Sequence, residues 1–347
     1  AASDVYKRQI CGTTFGMSEE ALPFYAIFIP IMMGIGYDSM TAFIICFLGP
    51  NLGYCASTID PFNVLIAQGI IGIEGNPQLW LRAVSWVIFT AVGIAWAMRY
   101  AMRVKKNPES SIVYEDDKLK RVEFSVTDAS IEEEFTTRQK LVLIDFACGM
   151  GIIVWGLVTQ GWYMNEISAV FLGMGLLAGI LGGLDQQTIA EEFVKGIADF
   201  AYAAIVIGIA RGILVIAEGG MIIDTILQAL ATALAGAPAA VYTTFMYIVL
   251  GLLSLLVPSS SGLAALTMPV MGSLTELMGL NPEAAVTALQ FANQTINTIS
   301  PVAGMTVAGL AVAKISFGQW WKTIWKFFIF MVVFGLIVTA ISGMLPV

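Results

Sequence analysis

The chain of 347 residues contains no histidine and only four cysteines. Histidine is the usual proton shuttle near neutral pH and a frequent zinc ligand, so its absence excludes zinc hydrolases and catalysis built on imidazole. The cysteines lie in or beside apolar segments and lack the spacing of a metal site. We therefore predict a protein that is not an enzyme and that holds no metal.

Charge is also scarce. Only 12% of the residues are charged, 58% are hydrophobic and the mean hydropathy is +0.82. A soluble domain of this size needs more charge on its surface, so the composition indicates a chain that crosses a lipid bilayer several times. The sequence has no phosphate-binding P-loop, so this chain is not expected to hydrolyse a nucleotide. It also has no basic run interleaved with aromatics, so no nucleic-acid partner is expected.

A four-residue element, Thr-Ile-x-Pro, occurs near each end of the chain, at 58–61 and 298–301. Proline removes a helix donor and disfavours helix in the residue before it, so Pro61 and Pro301 are each predicted to break a membrane helix. Unwound backbone at membrane depth is tolerated only where it is buried in protein or lines a cavity. The two breaks are therefore the strongest binding-site candidates.

A second repeated pattern precedes each copy. In both places a glycine is followed seven residues later by a proline, from Gly16 to Pro23 and from Gly262 to Pro269. This predicts a duplication, and hence one site built from two related halves. Chance is the alternative, since glycine and proline are frequent in membrane helices.

These patterns predict an all-α polytopic membrane protein. Nine of the seventeen Lys and Arg lie between Arg99 and Lys140, and the positive-inside rule places that stretch in the cytoplasm. The predicted parts are a non-native stub at 1–9, which resembles a translated sequencing adapter, a truncated first repeat at 10–104, a flexible cytoplasmic linker at 105–140 with a short helix at 128–138, and a second repeat at 141–347.

Each repeat is expected to contain a re-entrant hairpin, with tips at 11–20 and 257–262, and a broken helix. The other predicted segments are a helical arm at 21–36, half-helices at 39–56 and 62–73, spans at 79–102, 141–160, 163–183, 199–219 and 240–257, a surface amphipathic helix at 186–197, and a final span ending near residue 344.

Polar side chains gather at the hairpin tips and at the breaks. Hydroxyls and freed carbonyls are hard oxygen donors that suit Na⁺, and helix N-termini suit a carboxylate. The predicted substrate and ion ligands are Thr13, Thr14 and Glu19 at the first tip, Ser57, Thr58, Asp60 and Asn63 at the first break, Ser259, Ser260 and Ser261 at the second tip, Asn293, Asn297, Thr298 and Ser300 at the second break, and Arg211.

Each candidate also has a plain structural interpretation. Serine and threonine before helices cap backbone donors, and amides join membrane helices to one another. Arg211 and Asp60 are charges within apolar segments, where an ionisable group is a functional candidate by default. Arg211 is predicted either to bind a substrate carboxylate or to pair with Glu218 or Asp224.

The runs GTTFGMSEEALPFY, ASTIDPFNVLIAQGIIGI, LVPSSSGLAALTMPVM and FANQTINTISPVAGMTVAGLAVAKISFGQWWK resemble the YfcC family, provisionally named as basic amino acid antiporters. That family lies with the anaerobic C4-dicarboxylate carriers of DcuC type in the ion transporter superfamily. The resemblance covers residues 12–345. It implies an inverted-repeat fold with two re-entrant hairpins and two broken helices in a transport domain, moved against a scaffold. Family members begin with further spans, so it also implies an N-terminal truncation.

The leading prediction is a secondary active transporter, an antiporter or an ion-coupled symporter, that moves a small charged metabolite across the bacterial inner membrane by alternating access. An amino acid is the first expected substrate, and a C4-dicarboxylate is the alternative. A channel is the alternative of another class, although it would need rings of like groups where this chain offers two unlike half-sites. Coupling Na⁺ or H⁺, no other cofactor, and a homodimer through the scaffold are also expected.

Overall fold

The structure is a computed structural model of the chain. It describes residues 9, 12–14, 16, 21–123, 136–160, 162, 164–222, 225, 229, 232 and 237–346, and at some of these positions, Arg211 among them, the backbone alone. Throughout the described part the regular structure is helical, and no strand occurs there. The chain divides into two compact units, residues 1–125 with 202–347 and residues 126–201.

The first part of the larger unit contains one unbroken long helix and several shorter ones. Its helices are α1 (Leu22–Gly34), α2 (Ser39–Cys55, with a π-helical stretch at Ile44–Leu48), α3 (a π-helical turn Pro61–Leu65 that continues as Ile66–Ile71), α4 (Leu79–Lys106) and α5 (Tyr114–Glu123). Asp38 caps α2 by accepting a hydrogen bond from the Thr41 amide at 2.8 Å. The chain leaves helical geometry after Cys55 and resumes it at Pro61, as the proline predicts.

The second part of the same unit repeats this alternation. Its helices are α9 (Ala239–Ser254), α10 (Ser260–Leu277), α11 (Glu283–Asn297), α12 (Gly304–Val312) and α13 (Phe317–Met344). Ser316 opens α13 with a capping box that involves Gln319. The helical break between α11 and α12 coincides with the second Thr-Ile-x-Pro element.

The smaller unit contains α6 (Thr137–Trp155), which continues as a π-helical turn to Gln160, α7 (Met164–Gly182) and the beginning of α8 (Gln186–Gly219). The helices α6 and α7 pack together closely, because Gly149 lies directly under the Met174 side chain. Asp185 precedes α8 and accepts a hydrogen bond from the Thr188 amide at 2.7 Å, which holds the pKa of that carboxyl below its usual value.

The core of the larger unit is aromatic. The Trp320 ring is fully buried, with the ring centroids of Phe43 and Phe47 4.8 and 5.6 Å away. A second cluster forms where Phe89 of α4 meets Phe291 of α11, with centroids 5.7 Å apart. A third contact, between Phe89 and Phe330 with centroids 5.6 Å apart, joins α4 to α13, so α2, α4, α11 and α13 form one packed body.

Two described helices, α4 and α13, are long and apolar enough to cross a membrane. They coincide with the spans predicted at 79–102 and at the C-terminal end. The spans predicted at 163–183 and 240–257 correspond to α7 and α9, whose apolar stretches run from 168 to 182 and from 239 to 254.

Two expectations were wrong. The surface helix predicted at 186–197 and the span at 199–219 are one continuous helix, α8, because the change from polar to apolar composition does not interrupt the backbone hydrogen bonds. The linker was expected to be flexible, yet it contains α5. There, Asp117 accepts hydrogen bonds from the amide of Ser39 at 2.7 Å and from its hydroxyl at 2.6 Å, and it pairs with Lys120 at 3.1 Å. Most of the helix predicted at 128–138 lies outside the described residues.

Candidate functional site at the two helix breaks

The first break is held by the segment that was predicted as a hairpin tip. The amide and the hydroxyl of Thr58 both donate to the Thr13 carbonyl, each at 3.1 Å, and the Thr13 hydroxyl donates to the Ala56 carbonyl at 3.1 Å. Thr13 therefore satisfies backbone and side-chain groups that the break leaves without helical partners. Its neighbour Thr14 is helical and half-buried.

Asp60 is the charged residue of the first break, and it is fully buried. Its carboxylate accepts a hydrogen bond from the Phe62 amide at 2.9 Å and so caps the π-helical turn that opens α3. The Ser57 hydroxyl donates to the Tyr54 carbonyl and lies 3.5 Å from the carboxylate. Gly16 packs against the same carboxylate, because a Cβ built on it would lie 2.5 Å from the Asp60 Oδ1 atom.

The second break is held in a similar way. The Thr298 hydroxyl donates to the Gln294 carbonyl at 2.9 Å, and the indole of Trp320 donates to the Thr298 carbonyl at 2.8 Å. Ser300 is buried, with its hydroxyl 3.4 Å from the Val302 amide.

The segment before α10 is joined to the second break through one carbonyl. The amide groups of Asn293 and Asn297 both donate to the Pro258 carbonyl, at 3.3 and 2.7 Å. Of the three serines that follow, Ser259 is exposed and caps α10, and Ser261 is half-buried beside it. Capping is therefore the contact that the structure gives Ser259.

The two breaks lie against each other. Asn51 of α2 donates to the Thr298 hydroxyl at 2.7 Å, although the two residues are 247 positions apart in the chain. Ser260 lies 2.5 Å from the Tyr54 hydroxyl and donates to the Phe62 carbonyl at 3.3 Å. The structure thus brings together the residues before and after both breaks.

Within the part of the chain that the structure describes, not every polar group at this junction has a partner. The Asn63 side chain is fully buried, and neither its oxygen nor its nitrogen has a hydrogen-bond partner among the described residues. The Asn297 amide oxygen, which is also buried, lacks one in the same part of the chain. A buried unpaired polar group costs roughly 1–3 kcal/mol. Such groups in a native fold need a reason, and a polar ligand that completes their hydrogen bonds supplies one.

A second buried polar network, which the sequence reasoning missed, supports the first break. Arg82 at the start of α4 and Glu283 at the start of α11 form an ion pair with no exposed side-chain surface. The Arg82 guanidinium also donates to Gln290 at 3.1 Å and to Asn76 at 2.6 Å. Gln68 donates to Glu283 at 2.5 Å. The available signal was a lone arginine in the apolar run LWLRAVSW.

This network ends on the backbone of the break. Asn76 donates to the Thr58 carbonyl at 2.7 Å, and Gln290 donates to the carbonyls of Cys55 and Ser57 at 3.2 and 3.4 Å. The ion pair therefore positions the amides that hold the unwound carbonyl groups.

Two predicted ligands cannot be placed. Glu19 lies outside the described residues, and Arg211 is placed only by its helical backbone in α8. Of the alternative partners of Arg211, Asp224 lies outside the described residues and Glu218 is described only by its backbone.

The helical architecture matches a solved membrane transporter. The YdaH transporter of Alcanivorax borkumensis superposes with a TM-score of 0.51 over 97% of this chain and 77% of its own, at 14% sequence identity, which shows the fold. The two chains thus share a fold.

The family follows from the sequence. Residues 8–343 match the family model described as the C4-dicarboxylate anaerobic carrier, DcuC, and the chain belongs to that family. It is 36% identical over 323 residues to YfcC of Escherichia coli K12, provisionally named a basic amino acid antiporter, and 33% identical over 312 residues to an uncharacterized protein of Haemophilus influenzae. Both alignments cover 90% of this chain, and they span 63% and 61% of those relatives.

Proposed function

We propose that the protein is a secondary active transporter of a small charged metabolite, with an amino acid as the first candidate. It would work by alternating access in the bacterial inner membrane. The observation that carries the proposal is the junction of the two breaks, where buried polar groups of both halves meet and Asn63 has no partner among the described residues. Broken helices that meet within a membrane fold are a common form of solute site.

The charges at the junction support an amino acid. Asp60 supplies a buried carboxylate that can attract an ammonium or guanidinium group. The amides of Asn63 and Asn297 can donate to and accept from a solute that carries both signs of charge. Arg82 is already paired with Glu283, so it does not offer a free cation to a dianion.

The provisional name of the E. coli relative agrees with this choice, whereas the family description favours a C4-dicarboxylate. The dicarboxylate therefore remains the second candidate, with the Arg211 guanidinium as its proposed partner.

We also propose that Na⁺ or H⁺ is coupled to transport at the first break. The Thr13 hydroxyl lies 3.1 Å from the Ala56 carbonyl and 3.3 Å from the Thr58 hydroxyl, which groups hard oxygen donors two residues before Asp60 in the chain. Coupling to Na⁺ would appear as solute binding that strengthens with Na⁺ at constant ionic strength.

The test is a thermal-shift panel with the purified protein in detergent. Arginine, lysine, ornithine, succinate and fumarate are added one at a time, with Na⁺ or with K⁺, because a ligand that binds only the folded state raises its apparent stability. We expect a basic amino acid to raise the melting temperature. We expect Asn63→Ala to need about tenfold or more of the same amino acid for an equal rise.

The matched control is Gln187→Ala, which removes an exposed amide on α8. We expect its response to equal that of the unchanged protein. If Asn63→Ala folds and responds like this control to every ligand, the junction is not the solute site. If only dicarboxylates shift the melting temperature, the amino acid assignment is wrong.

A further inference from the structure

A long groove runs between α4 and α13, away from the two breaks. Its volume is about 950 Å³, at the upper end of the roughly 300–1,000 Å³ of typical ligand pockets. Its floor is aromatic, because Trp96 lies 4.9 Å from Phe327 and Phe327 lies 5.4 Å from Phe330, centroid to centroid. The groove thus offers an apolar surface to an extended ligand.

Four cations line the same groove. Arg99 and Arg103 lie four residues apart on α4, and Lys322 and Lys326 lie four residues apart on α13, so each pair shares one helix face. All four are exposed, and none forms an ion pair with another described residue. The groove therefore carries uncompensated positive charge.

Polarity changes along the groove in one direction. The lining on α4 begins with Ala91 and ends with Arg103, a length of about 18 Å at the helical rise. That is more than half of the roughly 30 Å hydrocarbon layer of a bilayer. The two helices are antiparallel, because Gln78 contacts Ser342 and Trp96 contacts Phe327. On α13 the two lysines come before Phe330, so both helices present their cations at the same end and their apolar residues towards the other.

We propose that this groove binds an anionic phospholipid, with its phosphate among the four cations and one acyl chain along the aromatic floor. Basic pockets between membrane helices on the cytoplasmic side bind anionic head groups, and the positive-inside rule predicts that side for this end of α4. A free phosphate would use only the cations, whereas a zwitterionic lipid would gain little from four of them. The chemistry of the whole groove is matched by a molecule with one charged and one apolar end.

The first test is native mass spectrometry of the delipidated protein titrated with dioleoylphosphatidylglycerol or dioleoylphosphatidylcholine. One variant replaces the four groove cations by glutamine. The control replaces four exposed lysines outside the groove, Lys106, Lys118, Lys140 and Lys195, so that both variants lose the same charge.

We expect the unchanged protein and the control to bind the phosphatidylglycerol at least about tenfold more tightly than the phosphatidylcholine, and the groove variant to lose that preference. Equal binding of the two lipids by the unchanged protein, or a groove variant that behaves like the control, would overturn the proposal.

The second test separates a lipid from other occupants. Ala95→Trp fills the apolar groove and leaves the cations in place, so we expect it to reduce phosphatidylglycerol binding about tenfold. If Ala95→Trp binds normally and millimolar inorganic phosphate displaces the lipid, the site is an anion site and the proposal fails. It also fails if Ala95→Cys, with the other cysteines replaced by alanine, cross-links to a second copy in membranes, because the groove is then a protein interface.

Discussion

The buried pair of Arg82 and Glu283 gives the sharpest prediction on stability. Both side chains have no exposed surface, and the guanidinium also holds Asn76 and Gln290. Glu283→Gln keeps the shape of the side chain but leaves a guanidinium buried without its counter-charge. Removal of one partner from a buried pair costs roughly 3–5 kcal/mol.

This cost can be converted into a melting temperature. With an unfolding entropy of about 2.1 cal/mol/K per residue, roughly 3–5 kcal/mol in a chain of 347 residues lowers the melting temperature by about 4–7 °C. The assay is unfolding followed by a thiol-reactive dye, with the exposed Cys148 replaced by alanine in every variant, since Cys46 and Cys55 are buried in the folded protein and become reactive when it opens.

The double variant Arg82→Gln, Glu283→Gln removes both charges. Its loss of unfolding free energy should therefore be smaller than the summed losses of the two single variants by about 2 kcal/mol or more. Glu192→Gln is the control, because its pair with Lys195 is exposed and spans 3.7 Å, and we expect no measurable change. The reasoning is refuted if Glu283→Gln melts with the unchanged protein, or if the two single effects simply add.

Two further predictions concern side-chain contacts that hold α5 and Gly16 in place in the first half of the chain. Asp117→Asn leaves Lys120 buried without its counter-charge, so we expect the free energy of unfolding to fall by roughly 3 kcal/mol and hydrogen exchange in α5 to become faster. Unchanged exchange would argue against the docking of α5 on Ser39. Gly16→Ala forces a Cβ against the Asp60 carboxylate at a φ of 69°, so we expect a lower melting temperature and weaker solute binding, whereas an unchanged protein would contradict the packing of the tip on the break.

The sequence predicted the features of the fold that depend on local backbone chemistry. The breaks at Pro61 and Pro301 followed from the missing amide donor of proline, and the structure interrupts helices at both places. The arm, the half-helices and the two longest spans followed from runs of apolar residues. The positions of glycine and proline, which interrupt helices, were therefore the main basis of the fold prediction. The duplication, the domain boundaries and the homodimer remain predictions.

What depends on distant partners could not be predicted. Arg82 and Glu283 are 201 positions apart, and near the end of a span an arginine is most simply interpreted as an interfacial residue. The polar composition of α5 suggested flexibility, whereas Asp117 and Lys120 are buried by the turn between α1 and α2. At the site, the sequence identified the polar groups around the breaks but not which of them would lack partners among the described residues.

The measurement that tests the central claim most directly is counterflow in proteoliposomes. Vesicles loaded with unlabelled arginine or with unlabelled succinate are placed in a dilute solution of the same labelled solute, and uptake is followed for the unchanged protein and for Asn63→Ala. We predict saturable accumulation of arginine that is strongly reduced by Asn63→Ala. Uptake of either solute that does not saturate would indicate a channel, and saturable uptake that Asn63→Ala leaves unchanged would contradict a solute site at the two breaks.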